Sequence, residues 1–96
     1  MVSIEWTQEA IFDFNEILAY VSNASPQYAH ALFEKVKDAL ANLKSFPKLG
    51  RKVPESDNEN DRELFIQKYR LIYRFVENAD KIFVLMIIHG SRILNL

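Results

Sequence analysis

The chain has 96 residues, of which 49% are hydrophobic and 26% are charged, and it contains no cysteine. This composition predicts one small folded domain over residues 1–96 rather than a disordered chain. The lack of cysteine excludes disulfides, zinc–thiolate centres and thiol chemistry. The formal net charge is −1, so the overall excess of lysine and arginine that is typical of nucleic-acid-binding proteins is absent.

The N-terminal half predicts a strand followed by two helices. Apolar and polar residues alternate from Val2 to Trp6, which indicates a short strand. Thr7 is a suitable N-cap for a first amphipathic helix, and the polar run 22–26 interrupts that helix. Ser25 as N-cap and Pro26 at the first helical position predict a second helix, which Pro47 ends. The short link between the two helices predicts an antiparallel helical hairpin.

The C-terminal half predicts an exposed loop followed by three strands. Residues 48–61 form the loop, and the strands cover residues 62–67, 69–76 and 82–89. The last strand is apolar on both faces, which places it inside the sheet. The sequence therefore predicts an α+β fold, in which a helical hairpin packs on one face of a three-stranded antiparallel meander that the N-terminal strand joins.

No export or membrane segment is expected. The first residues lack the basic and apolar regions of a signal peptide, and the longest apolar run, residues 82–88, is too short to cross a bilayer. The predicted location is the cytoplasm, with no membrane partner.

His89, at the end of the last strand, is a candidate general acid or base. The alternative is a strand-end histidine that is hydrogen-bonded to backbone. His30 lies on the second helix and is expected at the surface. The chain has only two glycines and shows no glycine-rich phosphate loop, no metal-ligand spacing and no serine or cysteine nucleophile motif. We expect no metal and no cofactor.

Arginines and tyrosines share the strand 69–76. Arg70 and Arg74 alternate with apolar residues and lie on one sheet face, and with Arg51, Lys52 and Arg92 they suit carboxylates or phosphates. Ion pairs with the acidic loop 55–63, or with an acidic partner helix, are equally suitable. The opposite face carries the tyrosines of the strand, which is more typical of a core than of a base-stacking platform. These tyrosines and their apolar neighbours are Tyr69, Leu71, Tyr73 and Phe75.

Several segments, in their order and spacing, resemble the ParE/RelE superfamily of bacterial type II toxins, and the resemblance covers nearly the whole chain. The segments are Ile4-Glu5-Trp6-Thr7 with Ala10 and Asp13, Ala39-Leu40-x-x-Leu43, Phe46-Pro47-x-x-Gly50-Arg51, Val53-Pro54-Glu55, Arg62-Glu63-Leu64, Tyr69-Arg70-Leu71-Ile72-Tyr73-Arg74, and Ile88-His89-Gly90-Ser91-Arg92.

The resemblance implies the toxin of a plasmid-stabilisation module, bound and neutralised by an antitoxin in a hetero-oligomer. An antitoxin segment that folds on binding would account for the arginine face and for uncovered apolar sheet surface. We therefore predict that Arg70, Arg74, Arg92 and Tyr73 contact this partner.

The two branches of the superfamily differ in target. ParE-like toxins inhibit DNA gyrase and need no catalytic residues, whereas RelE-like toxins cut mRNA on the ribosome. The near-neutral charge and the long connection from Pro47 to Glu55 favour the ParE branch. In the RelE alternative, His89 is the acid or base, and Arg51, Arg70 or Arg92 stabilises the developing charge. A third possibility is a family member that only binds its antitoxin.

Overall fold

The structure, a computed structural model, describes residues 2–94. The elements in chain order are β1 (Ser3–Trp6), α1 (Gln8–Ala24), α2 (Pro26–Ser45), β2 (Arg51–Lys52), β3 (Asp61–Ile66), β4 (Tyr69–Val76), a short 3₁₀ helix (Glu77–Ala79) and β5 (Lys81–His89).

The strands form one sheet in the order β1-β5-β4-β3-β2. The pairs β2–β3, β3–β4 and β4–β5 are antiparallel, and β1 pairs in parallel with β5. The predicted α+β fold is confirmed, with β5 inside the sheet as its apolar faces require. The two-residue strand β2 was not predicted and lies in the segment interpreted as loop. It forms because Arg51 and Lys52 pair with Glu63 and Arg62 of β3.

Local capping explains the helical hairpin. The Thr7 hydroxyl accepts a hydrogen bond from Ala10 N, and the Ser25 hydroxyl accepts one from Tyr28 N, both at 3.1 Å. Ser25 is also the C-cap of α1, so one residue separates the helices and α1 runs through most of the predicted break. Neither helix in residues 2–94 is long and apolar enough to cross a membrane.

Both helices pack on one face of the sheet, as predicted. The buried residues of this core come from α1, α2 and the inner strands, and include Ala10, Phe14, Leu32, Val36, Leu43, Leu71, Tyr73, Ile82 and Val84. The second face is covered by the chain itself. Val53, from the segment after β2, packs there with Ile72 and Ile88, and Leu94 lies against them. The apolar surface that was expected to need a partner on this face is therefore partly covered from within.

A register shift in the β4–β5 pair lies between Ile72 and Tyr73, which face Met86 and Val84 and leave Leu85 as the extra residue. The beginning of α1 is fixed against this irregularity. The Thr7 hydroxyl lies 3.0 and 3.1 Å from the carbonyl oxygens of Val84 and Leu85. This contact joins the helical hairpin to β5.

Candidate functional site

An arginine–carboxylate cluster, composed of Arg51, Glu55, Glu63 and Arg70, lies on the second face of the sheet. Arg70 on β4 is 4% exposed, and its Nε donates to Glu63 at 2.8 Å. Its Nη1 and Nη2 donate to the two oxygens of Glu55 at 2.9 and 2.8 Å. The other oxygen of the fully buried Glu63 accepts from Arg51 Nε. The two positive guanidinium groups of the cluster are therefore balanced by its two negative carboxylates.

The cluster also holds the segment that follows β5. Arg70 Nη1 donates to the carbonyl oxygen of Arg92 at 3.0 Å, and Leu94 N donates to Glu55 at 3.1 Å. Hydrogen bonds from Arg70 and from Leu94 N lower the pKa of Glu55 from 4.5 to about 2. The same pairing, with Glu55 as the strongest contributor, raises the pKa of Arg70 above its ordinary value. Both shifts favour the charged forms of Glu55 and Arg70, whose hydrogen bonds hold Arg92 and Leu94 against the cluster.

Arg74 forms a second ion pair. Its Nε and Nη2 donate to the two oxygens of Asp61 at 2.6 and 3.0 Å. Burial opposes ionisation of Asp61, but hydrogen bonds from Arg74 and Ser56 outweigh it and lower the pKa of this carboxyl. In the structure, Arg70 and Arg74 therefore pair with the acidic segment 55–63, which is one of the alternatives that the sequence left open.

The partner contacts predicted on β4 need correction. Tyr73 is fully buried; its hydroxyl donates to Pro47 O at 2.8 Å and accepts from Gly50 N at 2.9 Å. The prediction that Tyr73 contacts a partner is wrong, and its interpretation as a core residue is correct. Arg70 is also unavailable, because residues of the loop and of the C-terminal segment cover it. Arg74 is partly exposed but paired, and Arg92 is exposed.

His89 is exposed at the end of β5 and is held by its own turn. Its Nδ1 lies 2.7 Å from the Ser91 hydroxyl and accepts from Ser91 N at 3.2 Å. The ring also meets Tyr69 edge to face, with centroids 5.9 Å apart. Nδ1 is therefore engaged by Ser91 within the turn. The arrangement corresponds to the backbone-bonded alternative, and no carboxylate within residues 2–94 orients the imidazole.

The structure brings three of the predicted arginines together, Arg51, Arg70 and Arg92, and places His89 beside them but not among them. A shallow pocket of about 330 Å³ is lined by Arg51, Glu55, Phe65, Arg70, Ser91 and Arg92 among others, and His89 is not part of its lining. The guanidinium of Arg51 lies 5.2 Å from the ring centroid of Phe65. Within residues 2–94, the guanidinium of Arg92 has no ion pair.

Glu63 was not predicted as a site residue, although it lies at the centre of the cluster. The signal in the sequence was its alternation with Asp61, which places both carboxylates on one face of β3. His30 is at the surface, as expected, and lies 3.9 Å from Glu34 on the same helix. No group of three or more acidic or histidine side chains within residues 2–94 is arranged to hold a metal ion.

An apolar groove of about 590 Å³ lies between the helical hairpin and β1. Three aromatic rings are stacked along it, with centroid distances of 5.6 Å between Trp6 and Phe14 and 6.2 Å between Phe14 and Phe33. Lys37 and Lys44 also line it. β1 is the first strand in the sheet order, so its outer edge has no strand partner among residues 2–94. Trp6 packs on the core, as expected, and also forms a wall of this groove.

Comparison with protein families identifies the fold and its relatives. The family model of the ParE toxin of the type II toxin–antitoxin system parDE matches residues 4–94. The chain belongs to the ParE toxin family. The predicted membership of the ParE/RelE superfamily, on the ParE side, is confirmed. No curated protein matches this ParE-family chain.

Solved structures share the fold at low sequence identity. A chain of the chromosomal ParDE system of P. aeruginosa is 22% identical, with a TM-score of 0.72 over 95% of this chain and 98% of that one. A chain of the RelBE2 toxin–antitoxin complex of Mycobacterium tuberculosis is 19% identical, with a TM-score of 0.65 over 92% and 96%. The isolated E. coli RelE toxin is 15% identical, with a TM-score of 0.68 over 96% and 87%. At these identities the likeness establishes the fold.

Proposed function

We propose that this ParE-family chain is a toxin that inhibits DNA gyrase in the cytoplasm and is neutralised by a cognate antitoxin. Its family is defined by toxins of parDE systems. The observation that carries the choice of gyrase is the arginine–carboxylate cluster, because it occupies two of the three arginines, Arg51 and Arg70 but not Arg92, that a ribonuclease would use.

A ribonuclease of the RelE type has to stabilise negative charge that develops on a phosphate. Here Arg70 donates to Glu55, to Glu63 and to a backbone carbonyl, and Arg51 donates to Glu63. A phosphate that displaced Glu63 would leave a fully buried carboxylate without its partner, which is strongly unfavourable. His89 lies outside the pocket that these arginines line. This arrangement supports inhibition by binding rather than by phosphodiester cleavage.

The groove beside β1 supports the antitoxin part of the proposal. Exposed apolar side chains from both helices, such as Ile11 of α1 and Phe33 of α2, fit an amphipathic segment laid between the hairpin and the sheet. Lys37 and Lys44 favour acidic residues on that segment. The structures of the ParDE system and of the RelBE complexes are structures of toxin–antitoxin systems, and the same kind of hetero-oligomer is proposed here.

A supercoiling assay with purified gyrase tests the proposal. At micromolar concentration the protein, shown to be folded by circular dichroism, is expected to reduce supercoiling and to cause cleaved DNA to accumulate. An equimolar amount of the antitoxin encoded beside the gene should restore supercoiling. Unchanged supercoiling and cleavage with folded protein would refute gyrase as the target.

The ribosome-dependent ribonuclease is the second candidate, favoured by the exposure of His89 and Arg92 on a fold shared with RelE. A translation extract probed for mRNA cuts in the ribosomal A site decides it. We expect no cuts; cuts that disappear in a His89→Ala variant would establish the ribonuclease instead. Growth arrest on expression, relieved by the antitoxin, separates either toxin from a member that only binds the antitoxin.

A further inference from the structure

The turn between α2 and β2, residues 46–50, exposes two large apolar side chains. Phe46 is 65% exposed and Leu49 is 53% exposed. They border an open depression of about 560 Å³, which is also lined by Pro47 and Phe75. Single exposed apolar side chains are common, but a contiguous apolar patch beside a depression is typical of an interaction surface. We call residues 46–50 the apolar turn.

The backbone of the apolar turn is held rigidly, although the side chains of Phe46 and Leu49 are exposed to solvent. The buried hydroxyl of Tyr73 bonds to Pro47 O and Gly50 N, Leu49 N donates to Phe46 O at 3.0 Å, and Arg62 donates to Gly50 O at 2.9 Å. A Cβ atom on Gly50 would lie 2.6 Å from a backbone oxygen of β3. A surface that is already ordered loses little entropy on binding.

The rim of the apolar turn is basic, although the whole chain has a net charge of −1. Lys48, Lys52 and Arg62 line the depression and the adjoining pocket, against two carboxylates, Glu59 and Glu77. The two lysines lie 3.7 Å from these carboxylates, between exposed groups. Such pairs contribute little and exchange easily. The complementary surface is therefore an apolar pocket with carboxylates at its rim.

The apolar turn is separate from both surfaces described above. It lies beside Phe75, near the Val76 end of β4, whereas His89 pairs with Tyr69 at the other end, about 20 Å away at the rise of a strand. The residues lining its depression and those lining the groove beside β1 do not overlap. A partner on the apolar turn and an antitoxin in the groove therefore use different side chains.

We propose that the apolar turn is the surface through which this chain contacts its protein target, by inserting Phe46 and Leu49 into an apolar pocket rimmed by carboxylates. The inference rests on the proposed function, under which the target is gyrase. A protein surface fits better than DNA, because protruding apolar side chains gain only from an apolar pocket. DNA binding would need several cations free for phosphates, and two of the three here have carboxylate neighbours.

The test compares a Phe46→Ser/Leu49→Ser variant with wild type in the supercoiling assay and in binding to immobilised gyrase and antitoxin. The matched control is Phe12→Ser, since Phe12 is 64% exposed on α1. The concentration that gives half-inhibition is expected to be at least about tenfold higher for the double variant than for wild type, as expected when a central interface contact is lost. The control should inhibit like wild type, and antitoxin affinity should be unchanged.

A charge-reversal pair gives a second readout that does not depend on the apolar side chains. Lys48→Glu, at an exposed position, is expected to weaken inhibition most at low salt, whereas Lys35→Glu on α2 should not. Urea midpoints equal to that of wild type establish that each variant is folded.

The outcomes separate the two proposals. If wild type inhibits gyrase and the double variant inhibits equally well, the apolar turn is not the target surface and the proposed function stands. If wild type does not inhibit gyrase, both fall. Loss of antitoxin binding together with inhibition, or direct salt-dependent binding of DNA by the turn, would also overturn the inference.

Discussion

Replacing Arg70 by methionine tests whether the arginine–carboxylate cluster is part of the structural framework. The variant Arg70→Met keeps most of the side-chain length but removes the hydrogen bonds to Glu63, to Glu55 and to Arg92 O. Glu63, which has no exposed side-chain surface, is left with Arg51 as its one ionic partner. Removing one partner of a buried pair costs about 3–5 kcal/mol. We expect about 3 kcal/mol, because Arg51 remains.

Urea unfolding at pH 7 and 25 °C measures this loss, and thermal unfolding should show a fall in Tm of roughly 12–24 °C for a domain of this size. The double variant Glu63→Leu/Arg70→Met should lose less than the single variant, because no buried charge is left unpaired. Arg92→Met is the control and should change stability by less than about 0.5 kcal/mol. A loss below about 1 kcal/mol for Arg70→Met would contradict a structural role and would return this arginine to the candidate partner contacts.

Three further predictions concern the apolar turn and the acidic segment. Tyr73→Phe leaves Pro47 O and Gly50 N without their partner and should cost about 1–3 kcal/mol in urea unfolding; an unchanged midpoint would contradict it. Gly50→Ala should cost about 1–3 kcal/mol by overpacking against β3, and a thermal midpoint equal to that of wild type would show that the turn yields. Because the folded pKa of Glu55 is depressed to about 2, its contribution is complete above pH 4.5 and is lost as pH falls from 4.5 to 2. Glu55→Gln should therefore flatten the decline of the urea midpoint over that range, and an unchanged slope would refute this linkage.

Features with a local cause were predicted well from the sequence. Ser25 and Pro26 determine the helix boundary through capping chemistry that needs only neighbouring residues. The apolar faces of β5 placed it inside the sheet for a similarly direct reason. The strand β2 was missed because two residues are too few to show an alternating pattern. It forms only because the edge of β3 provides backbone groups for it to pair with.

The site depended on contacts between distant segments. Period-two alternation placed Arg70 and Arg74 on one face, but it does not say what covers that face. Glu55 lies 15 residues from Arg70, and the Arg92 carbonyl lies 22 residues away. Their approach follows from how the loop and the C-terminal segment cross the sheet, which no local pattern records. The burial of Tyr73 likewise follows from the position of the turn at Gly50.

The position of β5 between β1 and β4 also decides the order in which the sheet can assemble during synthesis. β1 is made first, yet the strand beside it is Lys81–His89, and Thr7 bonds to Val84 and Leu85 of that strand. Until Lys81–His89 has been made, β1 has no strand to pair with, and this pairing comes late because the two segments are far apart in the chain. Any function that needs this fold therefore requires the segment Lys81–His89 as much as the N-terminal segment that it holds in the sheet.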